Sequence, residues 1–247
     1  MIADHQTEAL VLRSVNYSDS SLIVRLFSRD YGKISIIAKG ARRSKDGTGA
    51  LLQPPNHLAL TYRHKDGRDL QTLISAEFEA RYPNLSADMA HSAAAMLAVE
   101  MLDRATDEDD PQPLLFRLII ALLGALNAQP SDPLLLMQFY QLHLARQLGF
   151  APQLDTCIHC GRPLVSAVVE LVAGHLSCPG CRPEGSRQLD RQTLAYLRQL
   201  ERTHINQLAG PGQASPAAGD YLLEHLFNHV DGMSRLKSLT FWREIQT

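Results

Sequence analysis

The sequence lacks the signals of export and of membrane insertion. No segment of its 247 residues approaches the run of about 18 apolar residues that a membrane span needs. The N-terminus has no basic stretch, apolar core and small-residue cleavage site of a signal peptide. Hydrophobic residues make up 45% of the chain and charged residues 20%, which is ordinary for a soluble globular protein. We therefore expect a folded cytoplasmic protein with no membrane partner.

Common catalytic motifs are also missing. There is no G-x-x-x-x-G-K-[ST] loop, no G-x-G-x-x-G after a strand, no H-E-x-x-H and no G-x-S-x-G. The acidic run Asp107–Asp110 precedes Pro111 and is interpreted as a solvated loop between helices. His225 and His229 share i, i+4 spacing, a weak indication of a metal site. The sequence predicts a protein that is not an enzyme.

Charge is unevenly distributed. The formal net charge of −2 divides into +3 for residues 1–82 and −5 for residues 83–247. Four cations fall within seven residues, beside three glycines: Lys39, Arg42, Arg43 and Lys45. This pattern predicts a flexible cationic loop, which would suit a polyanionic partner such as nucleic acid.

Residues 1–82 have the pattern of a small β-barrel. Short β-branched or alternating segments, bounded by Gly, Asp, Asn or Pro, cover 7–13, 20–28, 32–38, 58–62 and 71–79. Turns at 29–32 and 65–68 favour antiparallel pairing. Five strands fit an OB-fold, which binds oligonucleotides, although SH3-like barrels share this signature. We expect an OB-fold DNA-binding domain over residues 1–82.

The apolar period changes after Tyr82-Pro83 from two to about 3.6 residues, which is typical of helices. One helix is predicted to begin near Ser86, and others to cover 113–128, 133–148, 190–204 and 216–230. Asp132 is a candidate N-cap with Pro133 at the first helical position, and Gly149 follows the helix end. The fold class is therefore α+β multidomain, a five-stranded barrel followed by an all-α helical domain over residues 83–247.

All four cysteines lie in one interruption of this helical domain, at about residues 154–184. Cys157-x2-Cys160 and Cys178-x2-Cys181 are separated by seventeen residues, and Val165–Leu171 with Ala173-Gly174 predicts a hairpin that aligns the two pairs. Two residues between thiolates let one turn direct both sulfurs at one ion, and two such turns complete the tetrahedron that zinc prefers. The spacing predicts a zinc knuckle with structural Zn²⁺, since four thiolates leave no open position for catalysis.

Other uses of these cysteines remain open at this point. Two disulfides are possible but unfavourable in a reducing cytoplasm, and a thioredoxin-like redox pair needs one Cys-x-x-Cys before a helix. His159 and His175 lie in the same segment and can replace a cysteine, although four sulfurs already suffice.

The assembled pattern resembles the bacterial RecO family of recombination mediator proteins, almost from end to end. The resemblance rests on EALVLRSVNYSDSSLIVRLFSRDYGKISIIAKGARR near the start, LLQP at 51–54, QLHLARQLGFAPQLDTCIHCG ending at Gly161, and the closing RLKSLTFWREI. Small departures are Ser44-Lys45, which inverts the usual Lys-Ser order, and Asp19, where Glu is common. Both leave the charge pattern unchanged.

This resemblance implies an N-terminal OB-fold, a helical domain and a zinc knuckle. It further implies binding of single- and double-stranded DNA, annealing of complementary strands, and partnership with RecR and the C-terminal tail of single-stranded DNA-binding protein to load RecA, in the cytoplasm at the nucleoid. The segment AKGARR matches the family's basic loop, so the first candidates for phosphate contacts are Lys39, Arg42, Arg43 and Lys45. The second candidates are Arg13, Arg25 and Lys33.

Further residues and two other functional classes follow from the sequence. Candidate stacking rings for bases are Tyr17, Phe27, Tyr31 and Tyr62, with core packing as the alternative for each. Candidate residues for a partner groove on the helical domain are Arg117, Leu142 and Arg146. A zinc-containing adaptor of transcription or RNA metabolism has a similar barrel and ribbon, and a nuclease would need carboxylates that only the fold brings together.

Overall fold

The computed structural model describes residues 2–45, 47–128, 130–170, 173–208 and 213–245. Its residues divide into two compact units, 1–120 and 121–247, with the division inside one helix. None of the helices in the described residues is both long and apolar enough to cross a membrane.

The first unit is built on a closed five-stranded barrel. Its strands are β1 (Ile2–Tyr17), β2 (Ser21–Ser28), β3 (Gly32–Ala38), β4 (His57–Lys65) and β5 (Leu70–Ala80), in the order β1-β2-β3-β5-β4. β1 closes the barrel by pairing antiparallel with β4. The pair β3 and β5 is parallel and short, joining Ser35–Ile37 to Leu70–Thr72. The prediction of an OB-like five-stranded barrel is confirmed.

Alternation of side chains across these strands sets the barrel interior. The inward residues form one core cluster that includes Val24, Leu26, Ile34 and Ile36, all nearly or fully buried. Residues at the intervening positions of β2 and β3 point outward, because successive side chains of a strand lie on opposite faces. The outer face is therefore available for other contacts.

Helical elements complete the first unit. A one-turn helix, α1 (Thr48–Leu51), follows β3, and a 3-10 helix covers Pro83–Ser86. α2 (Met89–Ala105) is capped by the Asp88 carboxylate, which accepts from the His91 amide at 2.9 Å. The unit ends within α3 (Pro113–Asn127), whose Phe116 ring lies 6.2 Å from Phe27 of the barrel. The boundary at residue 82 stays a prediction, and the compact unit around the barrel extends to Ile120.

The second unit packs around a central helix. α4 (Pro133–Gln147) is buried on most sides, including Tyr140 and Leu144. Asp132 caps it by accepting from the Leu134 amide at 2.9 Å, as the sequence predicts. Around it lie α5 (Arg191–Arg202), α6 (Pro216–His229) and α7 (Lys237–Ile245), with 3-10 turns at Ile205–Leu208 and Met233–Arg235.

Between α4 and α5 the chain forms the four-cysteine segment. It holds a small sheet of β6 (Ala167–Val169), β7 (Leu176–Ser177) and β8 (Arg187–Leu189) in the order β7-β6-β8, with a 3-10 turn at Pro179–Cys181. β6 and β7 pair antiparallel as the predicted hairpin, while Leu171 and Val172 lie outside the described residues. Strand β8 and helix α7 are absent from the prediction.

Candidate functional site

The four cysteine sulfurs converge on one point. All four Sγ atoms lie within 4.8 Å of one another, and those of Cys160 and Cys178 are 3.8 Å apart. Four sulfurs bound to one zinc at about 2.3 Å, at tetrahedral angles, lie about 3.8 Å from each other. A disulfide needs about 2.05 Å, and all four thiols are free. The cluster can therefore hold a metal ion.

Local backbone bonds create this convergence. The Gly161 amide donates to the Cys157 carbonyl at 2.9 Å, and the Cys181 amide donates to the Cys178 carbonyl at the same distance. Gly161 has φ +69°, a conformation that favours glycine. The Cys178 amide also donates to Cys157 Sγ at 3.3 Å. Each Cys-x-x-Cys turn thus points its two sulfurs toward the same space.

Arg162 is a neighbour of the cluster that sequence reasoning missed, although it stands two residues after Cys160. Its Nε donates to Cys160 Sγ at 3.4 Å, which lowers the Cys160 pKa to about 6. The Cys181 thiol donates to the sulfurs of Cys160 and, as the second cause, of Cys178, and these hydrogen bonds raise the Cys181 pKa to about 12. Four thiolates at this spacing would repel one another, and a bound cation would neutralise them. A divalent metal fits this donor set.

The neighbouring histidines take other partners. His159 Nε2 lies 2.6 Å from the Glu170 carboxylate, and His175 packs 5.9 Å from the His229 ring. His225 Nε2 and His229 Nδ1 lie 2.6 and 2.8 Å from backbone carbonyl oxygens of Phe150 and His225. Across the described ranges, the cysteines are the group of three or more side chains assembled closely enough to bind a metal.

The cationic loop, Lys39–Lys45, is attached to the barrel. Ala41 is buried, and the Arg42 amide donates to the Ser20 carbonyl at 2.9 Å. The Arg43 amide closes a turn onto Gly40, which has φ +74°. The sequence predicts a flexible loop, whereas these contacts hold its centre against the β1–β2 turn. Its four cationic side chains remain exposed.

The cations of this loop differ from other exposed cations of the barrel in their ion pairs with carboxylates. Among the described residues, no carboxylate forms an ion pair with Lys39, Arg42, Arg43 or Lys45. The Arg42 guanidinium instead donates to the Ser18 carbonyl at 2.9 Å. By contrast, Arg63 Nε lies 3.0 Å from Asp4 Oδ1, and Arg29 pairs with both Glu8 and Asp30. The loop therefore presents a concentrated positive charge.

Lys33 is a correction to the predicted phosphate contacts. Its ammonium group is buried, donates to the Asp103 carbonyl at 2.7 Å and to the Thr106 carbonyl, and lies 3.6 Å from the Asp103 carboxylate. The Asp109 amide donates to the Lys33 carbonyl at 3.0 Å, which attaches the acidic loop to β3. Lys33 consequently has no access to a phosphate.

The other two second candidates differ in environment. Arg25 lies 3.6 Å from Asp103 and 3.4 Å from Glu108, so its charge is already partly compensated. Arg13 is exposed on the outer face of the barrel, where its backbone lies opposite that of Arg25 in the β1–β2 ladder. Arg13 thus remains a candidate contact, and Arg25 a weaker one.

The predicted stacking rings separate by burial. Phe27 and Tyr62 belong to the interior, and Tyr31 is half-buried with its ring 4.4 Å from His5. Tyr17 is 51% exposed at the end of β1, beside the Ser18–Ser20 turn that contacts the cationic loop. Tyr17 is therefore the candidate that can offer a free face to a base.

Among the groove candidates of the helical region, Leu142 is 2% exposed and belongs to the core, so it cannot line a docking surface. Arg117 and Arg146 are exposed, the first in the first unit and the second in the second. Sequence reasoning missed an apolar cleft of 380 Å³ in the second unit, lined by small side chains of α3 together with Leu136, Ile205 and Leu208.

Comparisons with known proteins agree over most of the chain. The family models for the N-terminal and C-terminal parts of recombination protein O match residues 1–82 and 86–240. A protein from Anaeromyxobacter dehalogenans, named DNA repair protein RecO, is 34% identical over 96% of this chain and 94% of its own length. Proteins of the same name from Pelobacter propionicus and Listeria monocytogenes are 34% and 28% identical, over 96% of this chain in each case.

Proposed function

The chain belongs to the RecO family of DNA repair proteins, and on this basis we propose that it acts as a recombination mediator. It binds single- and double-stranded DNA, anneals complementary strands and, with RecR, helps to load RecA onto DNA coated by single-stranded DNA-binding protein. The observation that carries the proposal is the cationic loop, whose four exposed cations have a backbone held against the barrel. It acts in the cytoplasm, at the nucleoid.

Annealing and loading require no bond chemistry, and the protein is not an enzyme in this proposal. A surface that neutralises phosphate repulsion on two strands, without demanding a base sequence, lets complementary bases meet. The loop cations suit this task because they are clustered and free of carboxylate partners within the described chain. Incubating DNA with the protein and magnesium or manganese separates this proposal from a nuclease, since only a nuclease shortens the strands.

The four cysteines hold a structural zinc ion in this proposal. Cys157, Cys160, Cys178 and Cys181 supply the four ligands, and the bound ion would neutralise the thiolates that Arg162 only partly compensates. Four sulfur ligands close the site, so the ion stabilises the fold around β6–β8 and takes no part in contacts to DNA.

The apolar cleft of the second unit is our candidate site for the acidic, apolar tail of single-stranded DNA-binding protein. Its lining is mostly apolar, with Ser131 and Asn206 as polar members. A Cβ added at Gly124 meets no neighbouring atom within 4 Å, so Gly124→Leu places an apolar side chain in the cleft. A fluorescent tail peptide should bind the unaltered chain and bind the variant more weakly. Equal binding would place the tail elsewhere.

Charge removal tests the DNA-binding proposal. The variant Lys39→Gln/Arg42→Gln/Arg43→Gln/Lys45→Gln should weaken binding to single and double strands and slow annealing of complementary oligonucleotides. Each lost phosphate contact should reduce the slope of log affinity against log salt by about 0.7 for single strands and about 0.9 for duplex. The control is Arg63→Gln, which removes an exposed barrel arginine already paired with Asp4. Unchanged affinity and slope in the fourfold variant would refute the assignment.

The annealing assay also tests the competing class. A zinc-containing adaptor of transcription or RNA metabolism would bind RNA or polymerase and leave complementary DNA strands unannealed. Acceleration of annealing by the unaltered protein, lost in the fourfold variant, supports the mediator.

A further inference from the structure

A pocket of 200 Å³ in the second unit is lined by two half-buried histidines from different elements. His175 directly precedes β7 in the four-cysteine segment, and His229 is the last residue of α6. Their ring centres lie 5.9 Å apart, with the ring planes inclined at 43°. Neither ring belongs to the cluster of four sulfurs.

The His229 ring has one nitrogen fixed and the other open. Its Nδ1 lies 2.8 Å from the His225 carbonyl oxygen. Because a carbonyl oxygen only accepts, Nδ1 carries the proton and Nε2 of the neutral ring keeps its lone pair. Histidines that bind a metal through one nitrogen usually donate the other N–H to a carbonyl or carboxylate in this way. In the part of the chain that the structure describes, Nε2 has no protein partner.

His175 supplies the second ring on a fixed backbone. Its carbonyl accepts from the Glu170 amide at 3.0 Å, and the preceding Gly174 carbonyl accepts from the Tyr221 hydroxyl of α6 at 3.4 Å. Within the described ranges, neither ring nitrogen of His175 has a hydrogen-bond or carboxylate partner. His159 differs, because its Nε2 lies 2.6 Å from the Glu170 carboxylate. Either nitrogen of His175 can therefore act as a ligand.

The pair His225 and His229, which the helical spacing indicates, is not the ligand pair. The two ring nitrogens of His225 lie 2.6 Å from the Phe150 carbonyl oxygen and 3.3 Å from that of Gly174. His225 is 2% exposed, and its ring centre lies 4.3 Å from that of His229. The Phe150 ring lies 5.2 Å from His229 on the same pocket. His225 and Phe150 thus hold the His229 ring in position.

The separation of the His175 and His229 rings suits one shared ion. With metal–nitrogen bonds of about 2.0–2.1 Å, two imidazoles on one ion have ring centres about 5–6 Å apart. The pocket also has room for a few waters at about 30 Å³ each. Its described lining contains no carboxylate and no thiol, whereas Mg²⁺ and Ca²⁺ prefer oxygen ligands. Imidazole nitrogens instead suit Zn²⁺, Ni²⁺ and Cu²⁺.

We propose that His175 and His229 form a second metal site, separate from the four cysteines, for a divalent transition-metal ion. The ion joins the β6–β7 hairpin to the end of α6. Two protein ligands leave the remaining positions to water, so this ion exchanges with solution more readily than one closed in by four sulfurs. The site is independent of the DNA binding proposed above.

The test is a Ni²⁺ titration of the full chain with any affinity tag removed. The protein is first loaded with Zn²⁺, and gel filtration removes loosely held ion, so that the cysteines are occupied. Calorimetry then counts Ni²⁺ sites, and absorption shows whether sulfur takes part, since thiolate ligands give a charge-transfer band. His175→Gln and His229→Gln are compared with His159→Gln, a matched control in the same segment that is paired with Glu170. Thermal melting without Ni²⁺ verifies that each variant is folded.

We expect the unaltered chain to bind a further equivalent of Ni²⁺ without a sulfur charge-transfer band. Its melting temperature should rise with Ni²⁺, because the folded arrangement alone brings the two rings together. His175→Gln and His229→Gln should each bind Ni²⁺ at least about tenfold more weakly and lose this rise, whereas His159→Gln should behave as the unaltered chain. A purely structural role of either ring would lower the melting temperature without Ni²⁺ and leave Ni²⁺ binding unchanged.

Three results would overturn the inference: no Ni²⁺ uptake by the zinc-loaded chain, uptake that His175→Gln or His229→Gln leaves unchanged, and uptake accompanied by a sulfur charge-transfer band. The last would mean that Ni²⁺ replaces Zn²⁺ on the cysteines. Zinc content after gel filtration reports on the four cysteines separately, so a failure of the structural zinc site is distinguishable from a failure of the histidine site.

Discussion

The cationic loop and the four-cysteine segment are both short, irregular parts of the chain, and they are held in place by different means. The loop rests on a barrel with its own core: Ala41 is buried, and the Arg42 amide binds the Ser20 carbonyl. The four-cysteine segment has strands of only two or three residues and four thiols grouped within 4.8 Å. Packing on the barrel supports the first, whereas in our proposal an ion also joins the parts of the second.

The difference suggests separate roles for the proposed metal site and for the cationic loop, which lie far apart along the chain. Leu164, Val168, Val169 and Leu176 are buried, but strands of two or three residues supply little regular structure to offset the conformational entropy of folding. The metal ion that we propose would add free energy of binding to that limited apolar burial. We therefore expect damage to one region to leave the characteristic property of the other in place.

Removing a ligand should have the largest effect. Cys157→Ser replaces the most buried of the four sulfurs, so the ion is lost and the second unit is destabilised by about 4 kcal/mol or more. Metal content and calorimetric melting measure both effects. DNA affinity at low temperature should stay within about twofold, because the loop is held by the barrel.

His159→Gln is the matched control for this prediction. His159 lies in the same turn, is exposed and pairs with Glu170, so its replacement should leave metal content unchanged. A metal-free Cys157→Ser protein of full stability would mean that the segment holds itself together without an ion. Loss of metal in His159→Gln would make the imidazole a ligand.

Replacement of two lysines of the first unit should affect two different properties, the stability of the fold and the affinity for DNA. Lys33→Ala leaves the Asp103 carboxylate and two carbonyls of the α2 end without their buried partner, and we expect a loss of about 3 kcal/mol. Lys39→Ala, at an exposed position, should change stability by less than about 0.5 kcal/mol and weaken DNA binding severalfold. Urea unfolding and DNA titration measure the two properties.

The opposite pattern would reverse our assignment of these residues. If Lys33→Ala weakened DNA binding with no loss of stability, its ammonium group would have to leave the contacts with Asp103 and Thr106 to reach DNA. If Lys39→Ala destabilised the protein, the cationic loop would be part of the core.

Lys33 also shows where prediction from sequence ends. Period-two alternation, turn residues and cysteine spacing are local signals, and they were sufficient for the barrel strands, the main helices and the convergence of the four sulfurs. The burial of Lys33 depends on Asp103 and Thr106, about seventy residues away, and no local pattern reveals it. For the same reason, the sequence alone does not distinguish the buried Lys33 of β3 from the exposed Lys39.

Other misses have related physical causes. Strand β8 has three residues, too few for a period to show, and it exists because β6 offers it an edge. Arg162 stands beside the cysteines in sequence, but its contact with Cys160 depends on the turn that both residues form. The attachment of the loop to the barrel, through Ala41 and the Arg42 amide, was missed because glycines permit close packing as well as motion.

The smallest expected effect tests how packing holds the cationic loop. Gly49 in α1 approaches the loop so closely that an added Cβ would lie 2.9 Å from the Ala41 carbonyl oxygen. Gly49→Ala must therefore displace either α1 or the loop, and overpacking of this kind costs about 1–3 kcal/mol. DNA affinity should fall by a few fold although no charge is removed, while the salt slope stays the same, because the cations are moved and not lost.

Gly67→Ala is a control for glycine replacement. Its added Cβ meets no atom within 4 Å, and its strained φ of +73° can only lower stability. If Gly49→Ala leaves DNA affinity unchanged, the loop acts through its charge alone and its attachment to the barrel contributes nothing to binding.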